Sequence, residues 1–130
     1  MSNKKILIVD DEVDFTRLLK SNLEETGKFE VLALPNANDI ISQVHAFKPD
    51  IILLDIIMPG TKGIEVCEML NKDVVGKAIP IIIISALAKD ADKYKAYRVG
   101  VVDYMEKPIE IERLIVKIDK YIQFKQGAES

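Results

Sequence analysis

Residues 51–55 read Ile51-Ile52-Leu53-Leu54-Asp55, four consecutive apolar residues ending on a carboxylate. A run that short, with no polar alternation, suits a strand buried on both faces. The same pattern recurs at Ile6–Val9, Phe29–Leu34, Ile81–Ile84 and Val101–Met105. Each run is rich in Val and Ile or bounded by Gly, Pro, Asp or Lys, and Pro80 stands where a strand start tolerates proline. Helical spacing fills the intervals. Phe15, Leu18, Leu19 and Leu23 form one stripe. Ala37, Ile40, Ile41, Val44 and Phe47 form a second behind an expected Asn36 cap, and Gly63, Val66, Cys67 and Leu70 a third. Ile111, Leu114, Ile115, Ile118 and Ile122 form the clearest. The 88–99 stretch is weakly striped; a helix is expected there because parallel strands need a crossover. Five β-α units in succession predict a doubly wound α/β domain, a five-stranded parallel sheet with five helices.

The 130 residues fit one domain, expected over 1–125 with a frayed tail at 126–130. A net charge of −3 provides no basic field for direct nucleic-acid or membrane-surface binding. The apolar runs are too short to span a bilayer or to serve as a secretory signal. The single cysteine, Cys67, excludes an internal disulfide and fits a reducing, cytoplasmic setting.

In such sheets chemistry gathers beyond the carboxyl ends of the strands. There the chain places Asp10-Asp11, Asp55, Ser85 and Lys107-Pro108. Two carboxylates ~4 Å apart repel by about 4 kcal/mol at an effective dielectric of 20, so a cluster of three calls for a cation. Oxygen donors without His or Cys select a hard divalent ion, and a few carboxylates with open positions suit Mg²⁺. A carboxylate nucleophile beside Mg²⁺, an ammonium and a hydroxyl is equipped for phosphoryl transfer onto Asp.

These stretches carry a resemblance. Val9-Asp10-Asp11, Leu54-Asp55-Ile56-Ile57-Met58-Pro59-Gly60, Ile84-Ser85-Ala86 and Tyr104-Met105-Glu106-Lys107-Pro108 resemble the marker motifs of the response-regulator receiver domain of two-component signalling. The likeness runs from about Lys4 to Gln123. It implies a flavodoxin-like sheet of order 2-1-3-4-5 and assigns roles. Asp55 is the expected phosphoacceptor. Asp10, Asp11, Asp55 and the Ile57 backbone carbonyl are the expected Mg²⁺ ligands. Ser85 and Lys107 are expected to contact the phosphoryl group, with Ser85 and Tyr104 as the switch pair and a cis bond at Lys107–Pro108.

The resemblance further implies a sensor histidine kinase or phosphotransfer protein as donor. A downstream protein would dock on the face of the fourth helix, fifth strand and fifth helix, where Tyr94, Tyr97, Arg98, Asp103 and Tyr121 fall. The chain would catalyse its own modification but turn over no separate substrate. Ile57 and Leu87, apolar at positions bordering the path of hydrolytic water, imply a slowly hydrolysing phosphoaspartate. The stretch has no room for an output domain. It reads equally as a single-domain regulator or as part of a longer protein that dimerises on phosphorylation.

Two other functions share features with this one. A haloacid-dehalogenase-type phosphatase would need an Asp where Ile57 stands. A receiver-like binding module without phosphorylation would usually have lost an acidic or lysine group, and here all are kept. His45 is expected at the surface and Cys67 in the core.

Overall fold

The computed structural model describes residues 3–58, 61–86 and 100–129, with backbone alone at 57, 58, 61, 62 and 123–129. The elements run β1 (Lys4–Val9), α1 (Val13–Glu25), β2 (Phe29–Leu34), α2 (Ile40–Phe47), β3 (Ile51–Leu54), β4 (Ile57–Met58), β5 (Thr61–Lys62) and α3 (Gly63–Lys72). A 3₁₀ turn at Gly76–Ala78, β6 (Ile81–Ser85), β7 (Val101–Glu106) and α4 (Ile111–Glu129) follow. The main sheet is parallel, ordered β2-β1-β3-β6-β7. With the two-residue β4 and β5 set aside, that is the expected order 2-1-3-4-5. Four α-helices lie among the described residues, against the five expected. The missing one falls at 88–99, outside the described residues, as do Pro59, Gly60 and Leu87.

Alternation along the strands sorts the core into two layers. Leu7, Val9, Ile52, Leu54, Ile81 and Ile83 meet Ile40 and Val44 of α2 and Val66, Cys67 and Leu70 of α3. Their neighbours Ile6, Ile8, Ile51, Leu53, Ile82 and Ile84 meet Leu19 and Leu23 of α1 and Leu114, Ile118 and Ile122 of α4. Both faces of the sheet are therefore covered, which explains runs without polar alternation. Each such side chain taken from water contributes roughly 1.5–3 kcal/mol of transfer free energy. Cys67 is fully buried in the first layer, and burial pushes its thiol up to about 12.

Local detail departs from the sequence pattern in three places. The Asn36 side chain does not cap α2. It accepts the Asn38 N–H at 3.0 Å in a separate turn, and the helix begins only at Ile40, although Ala37 is buried as its stripe required. An antiparallel pair, Ile57–Met58 with Thr61–Lys62, follows β3. In β7 the register jumps between the Ile81–Val101 and Ile82–Asp103 pairs, leaving Val102 as the extra residue of a bulge.

Candidate functional site

β1, β3, β6 and β7 run parallel, so their carboxyl ends open on one rim. The sheet itself holds the first two acidic groups in register: the Asp55 N–H donates to the Val9 carbonyl at 2.9 Å. Asp10, Asp11 and Asp55 each present a carboxylate oxygen within 4.8 Å of the others. Asp10 and Asp55 are buried, whereas Asp11 is exposed. The adjoining chain packs closely, for a Cβ on Gly63 would lie 2.4 Å from the Ile56 Cα. Only glycine lets the start of α3 approach the residue after Asp55 this way.

Asp10 does not cap α1. Its Oδ1 accepts the Glu12 N–H at 2.9 Å, while Oδ2 accepts from the Lys107 ammonium at 2.8 Å. The N-cap position belongs to Glu12, whose side chain makes no cap hydrogen bond and instead accepts from Lys107 at 2.5 Å. Asp55 Oδ2 stands 3.5 Å from the same ammonium. The Phe15 ring centroid lies 4.3 Å from it, within cation–π range. Burial alone would lower the Lys107 pKa. Hydrogen bonds to Asp10 and Glu12 and the charges of Asp10 and Asp55 outweigh that effect and raise it above the ordinary lysine value.

Lys107 is anchored through its backbone as well, its N–H donating to the Ser85 carbonyl at 2.9 Å. Ser85 is fully buried at the end of β6. The Lys107–Pro108 peptide bond is cis. Tyr104 lies one turn of the pleat further back on β7, half-buried against the α2–α3 layer, with its N–H donating to Asp103 Oδ1 at 2.7 Å. An apolar groove of about 480 Å³ opens beside Lys107 between α1 and the start of α4, lined by Phe15, Leu18, Leu19, Pro108, Ile109 and Ile111.

The structure thus brings Asp10, Asp11, Asp55 and Lys107 together, with Ser85 tied to Lys107 through the backbone. Glu12 is the member to which sequence reasoning gave no role. Its place directly after the Asp pair was the available signal. Further back on β7 Asp103 meets Tyr121 directly, with Lys117 beside them: Asp103 Oδ2 accepts from the Lys117 ammonium at 2.7 Å and from the Tyr121 hydroxyl at 2.8 Å. Tyr94, Tyr97 and Arg98 lie outside the described residues. His45 is exposed and bonds Asp73 at 2.9 Å.

The donor set fits a hard divalent cation: carboxylate oxygens only, two of them buried, at mutual distances that repel when unneutralised. No helix among the described residues is long and apolar enough to cross a membrane.

Residues 6–119 match the family model of the response regulator receiver domain. The chain is 38% identical over 106 residues to the alkaline phosphatase synthesis transcriptional regulatory protein PhoP of Bacillus subtilis, a match covering 82% of this chain and 43% of that protein. The chain therefore spans less than half the length of that relative. It is 37% identical over 115 residues to Protein PilH of Pseudomonas aeruginosa, covering 88% of this chain and 94% of that one. Among solved structures, a CheY-like response regulator receiver domain protein from Methanospirillum hungatei superposes with a TM-score of 0.90 at 25% identity, over 98% of this chain and 99% of the other.

Proposed function

This chain belongs to the response-regulator receiver family, and on that premise we propose that Asp55 accepts a phosphoryl group from a histidine kinase or phosphotransfer protein and thereby switches partner binding. One observation carries the proposal: a buried carboxylate, Asp55, shares its rim with two further aspartates and one ammonium, 3.5 Å away. Asp10, Asp11, Asp55 and the Ile57 carbonyl would hold Mg²⁺. When bound, Mg²⁺ supplies charge neutralisation to the incoming phosphoryl oxygens.

The remaining work falls to the chain's own groups. An Asp55 carboxylate oxygen attacks phosphorus as the donor's imidazole P–N bond breaks. Lys107, anchored by its backbone to Ser85, offers its ammonium to the growing negative charge. The buried Ser85 hydroxyl and Tyr104 are the groups through which the modified rim would reach the surface. Acting this way, the chain catalyses only its own modification, a role suited to the cytoplasm. Receivers of this family work with histidine kinases or phosphotransfer proteins upstream and protein targets downstream.

Intact mass after incubation with Mg²⁺ and acetyl phosphate tests the proposal. The expected result is one phosphoryl group, a gain of ~80 Da, absent from Asp55→Asn and from the chain without Mg²⁺. Failure to gain it from acetyl phosphate and from a panel of histidine kinases would sink the proposal.

A further inference from the structure

Three carboxylates meet one ammonium at the rim, and the ammonium is not shared evenly. Lys107 Nζ stands 2.8 Å from Asp10, 2.5 Å from Glu12 and 3.5 Å from Asp55. Asp10 and Asp55 side chains are 2% and 5% exposed, that of Lys107 is 10% exposed, and that of Glu12 is 57% exposed. An ammonium on Asp10 remains inside the cluster, next to Asp55. Glu12 is the one partner that draws it outward. Phe15 adds to the pull from the same helix, its ring centroid 4.3 Å away.

We propose that Glu12 is a positioning residue that holds the Lys107 ammonium toward α1 in the resting chain and so limits how readily Asp55 takes up phosphoryl. This rests on the reading of Asp55 as phosphoacceptor. During transfer from acetyl phosphate, an Asp55 Oδ–P bond forms, the donor's P–O bond breaks and acetate leaves. The phosphoryl oxygens then need the ammonium that Glu12 holds. Neutralising or shortening Glu12 releases Lys107 to Asp10 and Asp55 and raises the rate.

Two variants separate a grip from simple charge. Glu12→Gln removes the charge. Glu12→Asp keeps it but withdraws the carboxylate by one methylene from its 2.5 Å contact with Lys107. The grip is first read without any phosphoryl, by the acetylation rate of the Lys107 amine mapped by peptide mass spectrometry. Both variants are expected to label about two- to fivefold faster than the parent chain, the range of an exposed ion pair. The initial rate of phosphoryl uptake from acetyl phosphate at saturating Mg²⁺, followed by intact mass, is expected to rise by a similar factor in both. In a Lys107→Met background, replacing Glu12 is expected to leave the residual uptake rate unchanged.

Parental labelling in both variants overturns the proposal. So does parental uptake in Glu12→Asp, or a Glu12→Gln gain that persists without Lys107, because either reduces Glu12 to repulsion of an anionic donor. If the parent chain takes up no phosphoryl from any donor, the Asp55 reading falls, and with it the control over uptake. Labelling then still decides whether Glu12 grips Lys107.

Discussion

Two carboxylate–lysine clusters stand on this sheet, and they are built on different charge arithmetic. At the rim, Asp10, Glu12 and Asp55 surround the Lys107 ammonium, 2.8 Å from Asp10 and 3.5 Å from Asp55, and Asp11 joins the two aspartates. At the β7–α4 edge, one carboxylate, Asp103, meets one ammonium, Lys117, and also accepts from the Tyr121 hydroxyl and the Tyr104 N–H. The first cluster is short of positive charge; the second is balanced. A balanced, satisfied cluster holds two elements together and needs nothing more. An under-neutralised one retains affinity for a cation, and that residual attraction is what phosphoryl chemistry uses.

Removing the cation from each cluster should widen the contrast. Lys107→Met takes the ammonium away from Asp10, Glu12 and Asp55, two of them buried. Without divalent cation it should cost about 3 kcal/mol in urea unfolding. The same variant should bind Mg²⁺ about tenfold more tightly, because no ammonium competes for Asp10. Saturating Mg²⁺ should therefore restore much of the lost stability. Equal destabilisation with and without Mg²⁺ would break the distinction between the clusters.

The balanced cluster should respond more weakly and without regard to cation. Asp103→Asn should cost about 1 kcal/mol, after allowing for solvent screening at this edge, and the cost should be the same with and without Mg²⁺. Its pH dependence has a definite sign. Partial burial opposes ionisation of Asp103, but the Lys117 ammonium, the Tyr104 N–H and the Tyr121 hydroxyl outweigh it and hold the carboxyl below its ordinary value of 3.8. A group lowered in the folded chain stabilises above the unfolded value and loses that contribution as pH falls through the folded one. The gap between parent and Asp103→Asn should thus be full above about pH 4 and close below it, in urea titrations at stepped pH. Tyr121→Phe, which removes a single hydroxyl, should have the smallest effect, ~0.5 kcal/mol with unchanged phosphoryl uptake.

Much of this architecture was legible in the residues. The continuous runs at Ile6–Val9, Ile51–Leu54 and Ile81–Ile84 announced strands covered on both sides, because only a two-faced core removes the need for alternation. Strand order was not legible from pattern; it came with the resemblance of the motifs. The start of α2 was misplaced because Ala37 is buried while still outside the helix, and burial periodicity cannot separate a packed turn from a first helical turn. The β4–β5 pair was invisible, since two-residue strands have no period. At the site, residue types at the strand ends named Asp10, Asp11, Asp55, Ser85 and Lys107. Which carboxylates the ammonium would choose depends on the side-chain path of Lys107 past Phe15, a matter of three-dimensional packing that spacing does not encode. Hence Glu12 stood beside the Asp pair without a role.

The bulge at Val102 has a consequence for how copies of this chain coexist. β7 is the terminal strand of the sheet order, and a terminal strand with evenly spaced backbone groups invites a foreign strand to add itself. Here the spacing is broken by one residue. An arriving strand would find an uneven ladder. A bulge made to seat one extra residue thus also works against strand addition along this edge.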